Sequence, residues 1–206
     1  EITRYAEVVL APPPADALHT SFSNLFVQTE LISERQAILC TRRPRSRHDP
    51  EVWMCHLVTA HGAATEAVSY ETNRTRFIGR GRSLASPAAM DTPGMLSGTA
   101  GSVLDPVIAI RLRITLEPEA TATINIATGI TDSRETCVDL VEKYQDRGLA
   151  DRVFDLAWTH SQVVLRQLSI TEVDAQLYAR LAGSVLFANE WLRADSTVLA
   201  TNRRGQ

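Results

Sequence analysis

The chain has 206 residues, of which 44% are hydrophobic and 22% are charged, as is typical of folded globular proteins with one sizeable core or two small ones. Its net charge of −3 argues against general nucleic-acid binding, because domains with that function usually carry a basic excess. The three cysteines lack CxxC spacing, which argues against a disulfide framework and a zinc site. No apolar run reaches the roughly 20 residues that a membrane span requires.

The first 130 residues show the two-residue period of β-strands. The clearest pattern covers residues 108–117, and it predicts an antiparallel strand with Arg111 and Arg113 on the polar face. The opposite face, which we expect to be buried between sheets, carries Ile108, Ile110, Leu112 and Ile114. Similar patterns predict strands at residues 2–10, 24–32, 36–41, 51–60, 66–70 and 121–130. A proline run at residues 12–14 predicts a turn. Many strands without helices between them predict a sandwich.

After Ile130 the period becomes helical. Asp132 and Glu135 form a capping-box pattern that predicts a helix start, and Gly148 is expected to end that helix. Its predicted apolar stripe consists of Val138, Val141 and Tyr144. A second helix is predicted from about Leu149 to Leu168. A third, beginning at residues 171–174, has an apolar stripe of Leu177, Leu181 and Val185. We therefore expect a mainly β fold with helices at the C-terminus.

The most specific motif covers residues 69–87, which read Ser-Tyr-Glu-Thr-Asn-Arg-Thr-Arg-Phe-Ile-Gly-Arg-Gly-Arg-Ser-Leu-Ala-Ser-Pro. It resembles the YETDRxRFxGRGRxxxxP segment in the phosphorylase-like region of the bacterial cyclic β-1,2-glucan synthases, which are related to the cellobiose and chitobiose phosphorylases of glycoside hydrolase family 94. Asn73 stands where that pattern usually has Asp. Shorter matching segments are residues 5–10, 22–26, 41–46, 103–106, 156–158 and 202–206.

The resemblance implies a large antiparallel β-sandwich, a supersandwich of the galactose-mutarotase-like type. Residues 1–131 would form that sandwich, truncated at its N-terminus, with residues 132–170 as a helical linker and residues 171–206 as the first helical part of an α/α barrel. In the family the general-acid Asp lies in the barrel, beyond this C-terminus. The resemblance therefore implies no catalytic residue, no metal and no cofactor in this chain, which we expect to be inactive alone.

The resemblance also implies properties of a longer parent. That parent would be a membrane-anchored glycosyltransferase that makes cyclic glucan from UDP-glucose and adjusts chain length by phosphorolysis. This region would lie on the cytoplasmic side of the bacterial inner membrane without contacting the membrane directly. Its expected partners are the β-glucan, the α/α barrel and a second copy of the chain, and nucleic acid is not among them.

Four arginines form the densest candidate binding cluster. In an extended segment they would project to one side, with Phe77 on the other and with Gly79 and Gly81 allowing a bend. One interpretation is a surface that contacts carbohydrate, an anion or another subunit. The other, which the modest net charge favours, is a set of arginine–carboxylate pairs. The four residues are Arg74, Arg76, Arg80 and Arg82. A second group is expected to be a solvated loop: Arg42, Arg43, Arg45 and Arg47.

Two other functions are compatible with a β-sandwich. An autonomous carbohydrate-binding module needs an exposed aromatic platform, whereas Trp53, Trp158 and Trp191 all occur in apolar patterns that predict core packing. A mutarotase-like enzyme needs a histidine and a carboxylate that face one cleft. His56 and Glu66 are the plausible pair for that chemistry.

Overall fold

The computed structural model describes residues 1–44, 46–47, 49–91, 93–186 and 194–201. The chain forms two compact units, Glu1–Asp151 and Arg152–Gln206. The strands are β1 (Ile2–Glu7), β2 (Val27–Ile32), β3 (Ala37–Arg42), β4 (Trp53–His61), β5 (Ala64–Asn73), β6 (Gly101–Ser102), β7 (Pro106–Thr115) and β8 (Thr123–Thr131). The helices are α1 (Pro13–Asn24), α2 (Arg74–Ile78), α3 (Ala88–Asp91), α4 (Arg134–Gln145), α5 (Arg147–Leu168), α6 (Glu172–Leu186) and α7 (Ser196–Ala200).

The first unit is built on two antiparallel sheets. Sheet A has the strand order β1-β7-β5, and sheet B has the order β6-β2-β3-β4-β8. The predicted sandwich with C-terminal helices is therefore confirmed. The inner faces of the sheets share one apolar core, to which β7 contributes the fully buried Ile108, Ile110 and Leu112 and the partly buried Ile114. The inner face predicted for this strand is confirmed, because alternation places these four side chains on one side.

The outer face of sheet B is covered by α4. Cys137 and Val141 of this helix are buried against Leu39 and Leu57 of the sheet, and Val138 and Tyr144 pack at the edge of the same cluster. The predicted apolar stripe of this helix is confirmed. Its predicted start is one residue too early.

The N-cap of α4 is Ser133, whose Oγ accepts a hydrogen bond from the backbone N–H of Thr136 at 3.1 Å. Serine and aspartate are about equally good N-cap residues, so Ser133 takes the role that the pattern predicted for Asp132. Gly148 does not end this helix, because α4 stops at Gln145 and Gly148 lies in the first turn of α5.

Helix α1 is the main difference from the predicted elements. It begins at Pro13, where the sequence suggested only a turn, and its backbone departs from helical geometry at His19. Proline is well suited to the first positions of a helix, because the N–H that it lacks has no partner inside the helix there. At the far end, Asn24 Nδ2 donates to Asp105 Oδ1 at 3.0 Å and joins the helix to the turn before β7.

The second unit is helical. The predicted start of this helix at residues 171–174 is confirmed, and these residues form a capping box: Asp174 N donates to Thr171 Oγ1 at 3.2 Å, and Thr171 N donates to Asp174 Oδ2 at 3.0 Å. Hydrogen bonds from the hydroxyl and amide of Thr171 lower the pKa of Asp174. The stripe of α6 is largely exposed, at 54% for Leu177, 55% for Leu181 and 85% for Val185. No helix in the described part of the chain is long and apolar enough to span a membrane.

Candidate functional site

The arginine-rich segment folds differently from the extended conformation that its parity suggested. Residues 74–78 form the short helix α2, because Asn73 Oδ1 accepts hydrogen bonds from the backbone N–H groups of Thr75 at 3.0 Å and Arg76 at 3.3 Å. Gly79 ends the helix at a φ of +88°, and a Cβ there would lie 2.7 Å from the Cβ of Ala88. The turn therefore requires glycine at this position.

Asn73 also explains how the chain tolerates its departure from the family pattern. The cap needs a side-chain oxygen that accepts from the N–H groups of the first helical turn, and asparagine and aspartate are about equally good at this. The geometry that the motif requires is thus retained in this sequence.

Two of the four predicted arginines are engaged in ion pairs. Arg74 Nε lies 3.3 Å from Glu7 Oε1, and its Nη1 lies 3.7 Å from Asp105 Oδ2. Arg82 forms an ion pair with Asp91 of α3. These contacts match the interpretation in which arginine–carboxylate pairs surround a glycine-containing turn.

The other two arginines remain at the surface. Arg76 is exposed, and its Nη1 donates to Ser97 Oγ at 3.3 Å. Arg80 is exposed in the loop after α2, and none of the described residues forms a hydrogen bond or ion pair with it. The four guanidinium groups therefore differ in their contacts: Arg74 and Arg82 pair with carboxylates, and Arg76 donates to a hydroxyl.

Helix α2 and the residues after it form a layer on the outer face of sheet A. Phe77 stacks on Tyr5 of β1 with ring centroids 4.8 Å apart, and Phe77 and Ile78 are buried against Ala109 of β7. Beside this contact lies a cleft of about 310 Å³. Its polar lining comes from Glu71, Arg76, Ser97 and Arg111, and its apolar lining from Ala88, Ala89, Met95 and Leu96.

Glu71 forms the floor of this cleft and is only 2% exposed. Its Oε1 accepts hydrogen bonds from the backbone N–H groups of Thr72 at 2.9 Å and Asn73 at 2.8 Å, and its Oε2 accepts from the hydroxyl of Ser97. The carboxylate thus acts as a hydrogen-bond acceptor at the end of β5, where the ladder with β7 shifts register.

Arg111 is the site residue that the sequence pattern missed. It lies on the outer face of β7 as predicted, yet it is 4% exposed rather than solvated. Its Nε donates to Thr3 Oγ1 at 2.9 Å, its Nη1 to the carbonyl of Gly94 at 2.8 Å, and its Nη2 to the carbonyl of Ala89. One guanidinium group therefore holds both Ala89 and Gly94 against sheet A. In the sequence around Arg111, the one feature that indicates a covered outer face is Ala109, a small apolar residue on the same face of β7.

The cleft combines guanidinium, hydroxyl and apolar groups with one carboxylate. Hydrolysis of a glycosidic bond in the usual way requires two carboxyl groups across the sugar, and Glu71 is the only carboxylate among the lining residues that the structure describes. The described residues also contain no group of His, Cys, Asp and Glu side chains that could hold a metal. The arrangement is suited to contact with polar groups of a ligand or partner.

The comparisons with known proteins identify the fold family. A family model described as "Glycosyl hydrolase 94, supersandwich domain" matches residues 1–147. The chain belongs to this family. The supersandwich match ends two residues after α4, the helix that covers sheet B.

One curated relative matches along the whole chain. The supersandwich and the helices after it are 34% identical over 206 residues to the cyclic beta-(1,2)-glucan synthase NdvB of Rhizobium meliloti (strain 1021). The match covers 100% of this chain and 7% of the relative. The family resemblance carried by residues 69–87 is therefore confirmed.

The supersandwich does not bring His56 and Glu66 to one cleft. His56 is fully buried, with its Nδ1 2.8 Å from Thr128 Oγ1, and burial together with the charge of Arg4 lowers its pKa to about 4. Glu66 is exposed on β5 and accepts from the hydroxyl of Thr115. The pair needed for mutarotase-like chemistry is not assembled.

The tryptophans differ in environment. Trp53 is half-buried against the α4 cluster, and its indole N–H donates to Glu51 Oε1 at 2.6 Å. Trp158 on α5 is 68% exposed, so the prediction that it packs in a core is wrong. Trp191 lies outside the described residues. On the described strands the aromatic residues are Tyr5, Trp53 and Tyr70, and each is at least partly buried, which does not provide the platform of a carbohydrate-binding module.

The second arginine group lies at the end of β3. The guanidinium groups of Arg42 and Arg43 are 5.6 Å and 6.0 Å from the centre of the Phe26 ring, within the range of cation–π contacts. Arg47 is exposed in the loop that follows, and Arg45 lies outside the described residues.

Proposed function

We propose that this chain is the non-catalytic sandwich and linker module of a cyclic β-1,2-glucan synthase. The observation that carries the proposal is 34% identity to such a synthase over all 206 residues. An aligned match of this length supports a shared structural role, and the polar groups of Glu71, Arg74 and Arg111 are engaged in contacts within the fold. In this proposal the parent makes cyclic glucan from UDP-glucose and adjusts its length by phosphorolysis.

The parent is proposed to be anchored in the bacterial inner membrane, with this module on the cytoplasmic side. The three free cysteines support a reducing compartment, because Cys40, Cys55 and Cys137 are all buried as thiols. Burial raises the pKa of the Cys40 and Cys55 thiols to about 12, so these groups are unreactive at neutral pH.

The module's own contribution is proposed to be a contact surface for the glucan around Arg76 and Arg80. These two guanidinium groups are exposed, whereas Arg74 and Arg82 are held by carboxylates. Guanidinium groups donate several hydrogen bonds in a fixed geometry, and sugar hydroxyls accept them. Met95, which is 71% exposed beside the cleft, supplies an apolar surface for the sugar C–H groups.

The assay that tests the proposal measures glucose 1-phosphate released from linear β-1,2-glucan in inorganic phosphate. We expect release by the full-length synthase and none by the 206-residue chain at equal molar concentration. Release by the isolated chain would show that its own residues are catalytic and would refute the non-catalytic role. A full-length parent that neither makes nor shortens β-1,2-glucan would refute the family activity assigned to it.

The contact surface is tested in the full-length synthase with the double variant Arg76→Ala/Arg80→Ala. We expect the KM for linear β-1,2-glucan to rise several-fold while kcat stays nearly constant, because the lost groups bind substrate without taking part in the reaction. The control is Arg113→Ala, which removes a partly exposed arginine of β7 that does not line the cleft. An unchanged KM together with altered sedimentation would instead assign Arg76 and Arg80 to a subunit interface.

A further inference from the structure

The cleft on the outer face of sheet A contains a serine whose hydroxyl connects two charged side chains. Ser97 Oγ donates to Glu71 Oε2 and accepts a hydrogen bond from Arg76 Nη1 at 3.3 Å. The hydroxyl oxygen of Thr99 lies 3.0 Å from the same atom. A hydroxyl has a single proton, a carboxylate accepts hydrogen bonds and a guanidinium group only donates them. The proton of Ser97 therefore points to Glu71, and Thr99 donates to Ser97.

Glu71 gives this chain of hydrogen bonds a fixed end. Its side chain is 2% exposed, and its Oε1 accepts from the backbone N–H groups of Thr72 at 2.9 Å and Asn73 at 2.8 Å. These N–H groups belong to the end of β5, so the carboxylate cannot rotate without losing both bonds. Glu71 thus holds the hydroxyl of Ser97 in one orientation, with its lone pairs directed away from the carboxylate.

The backbone on both sides of Ser97 is also attached to β5. Leu96 N donates to Ser69 Oγ at 3.0 Å, and Gly98 N donates to the carbonyl of Tyr70 at 2.8 Å. Gly98 adopts a φ of +71°, which glycine accepts at no steric cost. Ser97 is therefore fixed by its two neighbours as well as by its own hydroxyl.

Arg76 lies at the outer end of this chain of hydrogen bonds. Its side chain is exposed, and Ser97 Oγ is its hydrogen-bond acceptor within the part of the chain that the structure describes. A guanidinium group has five N–H donors, so the bond to Ser97 leaves most of them for a ligand in the cleft. Arg80 has no comparable contact with any described residue. The bond to Ser97 therefore distinguishes the two arginines of the proposed glucan surface.

We propose that Ser97 is a positioning residue for glucan binding, and that its hydroxyl, held by Glu71, keeps the guanidinium group of Arg76 directed at the cleft. The proposal rests on the proposed function, in which Arg76 and Arg80 contact the glucan. Fixing the guanidinium group before the glucan binds reduces the entropy cost of binding. Hydrogen bonds in a chain that ends on a carboxylate also polarise and strengthen one another. Sugar hydroxyls then accept from the remaining N–H groups of Arg76.

The first test measures the mobility of the two guanidinium groups in the isolated chain and needs no glucan. Nuclear magnetic resonance relaxation of the arginine Nε–H groups gives an order parameter for each side chain. We expect a higher order parameter for Arg76 than for Arg80, and Ser97→Ala should lower the value for Arg76 to that of Arg80. Ser97→Thr keeps the hydroxyl and should preserve the original value. Equal mobility of Arg76 and Arg80 in the original chain would refute the positioning role.

The second test measures the KM for linear β-1,2-glucan in the full-length synthase, with release of glucose 1-phosphate as the assay. We expect Ser97→Ala to raise the KM roughly two- to tenfold, the effect of one side-chain hydrogen bond, while kcat stays nearly constant. Ser97→Thr should restore the original KM. The control is Ser102→Ala, which removes an exposed hydroxyl that accepts from Gln28 Nε2 at 3.3 Å and does not line the cleft.

Combined variants show whether Ser97 acts through Arg76. When Arg76→Ala is already present, Ser97→Ala should raise the KM little further, because the group that it positions is absent. When Arg80→Ala is present instead, Ser97→Ala should have its full effect. Equal increases in the two backgrounds would show that Ser97 acts on the shape of the cleft as a whole, and the positioning role would be wrong.

The same measurements separate a failure of this proposal from a failure of the proposed function. If Arg76→Ala raises the KM and Ser97→Ala does not, the glucan contact stands and the positioning role of Ser97 is refuted. If neither Arg76→Ala nor Arg80→Ala changes the KM, the glucan contact itself is wrong. The role of Ser97 in glucan binding is then wrong with it, even where the relaxation data show that Ser97 holds Arg76.

Discussion

The side chain of Arg111 shows how a charged residue on the outer face of a strand becomes part of the fold. Alternation in β7 correctly places it on the face opposite to that of Leu112, but contacts with Ala89, Met90 and Gly94 cover it. Its guanidinium group donates to the backbone carbonyls of Ala89 and Gly94. Removing the donor would take one hydrogen bond from each of these acceptors, which costs more than the loss of a solvated charge.

Substitutions on the two faces of β7 test this assignment. We expect Leu112→Ala to lower the free energy of unfolding by about 2–5 kcal/mol, because it opens a cavity between the sheets. Arg111→Ala should cost about 1–3 kcal/mol, more than the value below about 1 kcal/mol that its polar face alone suggested. Urea denaturation measures both, with Arg113→Ala, which removes a partly exposed arginine of the same strand, as the control. A midpoint for Arg111→Ala that matches the control would contradict the structural role of Arg111.

Asn73 offers a test of the cap that begins α2. We expect Asn73→Asp to leave stability nearly unchanged, and Asn73→Ala to reduce the free energy of unfolding by about 0.5–2 kcal/mol, because alanine cannot accept from the N–H groups of Thr75 and Arg76. Thermal unfolding of the three proteins measures the difference. If alanine and aspartate at position 73 were equally stable, the cap would be unimportant and the family preference for Asp would need another cause.

His56 predicts a pH dependence of stability. Burial, with a smaller contribution from Arg4, lowers its pKa from 6.5 to about 4. Between these values the unfolded chain binds a proton that the folded chain does not, so the free energy of unfolding decreases as pH falls from about 6.5 to about 4. The upper limit of the loss is about 3 kcal/mol, at about 1.4 kcal/mol per pKa unit.

Urea unfolding at pH 7.5 and pH 5 measures this contribution. The difference in stability between the two pH values should be smaller in His56→Gln than in the original chain, because glutamine does not titrate and can still hydrogen-bond to Thr128. Identical pH profiles for the two proteins would show that His56 titrates normally in the folded state.

At the scale of elements, a long strand or helix can be predicted from its sequence period, whereas a short one cannot. Strands such as β7 extend over ten residues, long enough for a two-residue period to be unambiguous. Helix α2 has five residues, too few to show a helical period, so the parity of its two arginines and of the two that follow it predicts an extended segment instead. Helix α1 was missed for another reason, because prolines that favour a turn also fit the first turn of a helix.

The candidate site was only partly accessible from sequence. Residues 69–87 could be singled out because their order matches a family motif, and Arg76 does line the cleft. Arg111 could not be singled out, because its partners Gly94, Ala89 and Thr3 lie 17, 22 and 108 residues away along the chain. Buried polar contacts between distant segments depend on the tertiary structure, which local patterns do not specify.

At the scale of the whole molecule, the sheet unit and the helical unit differ in how well they cover their apolar residues. Sheet B is covered by the opposing sheet on one face and by α4 on the other. In Arg152–Gln206, by contrast, most large apolar side chains of the described helices are more than two-fifths exposed. Stability measured on the whole chain will therefore report mainly on residues 1–151.

The exposed stripe of α6 predicts self-association of the chain. Leu177, Leu181 and Val185 follow helical spacing and are all more than half exposed. Burial of several aliphatic side chains at roughly 1.5–3 kcal/mol each favours a dimer or higher oligomer over solvent exposure. Sedimentation of the full chain should show this oligomer, whereas a chain that ends at Ser169 should sediment as a smaller species. If both sediment as the same monomer, the stripe is covered within one molecule and the prediction is wrong.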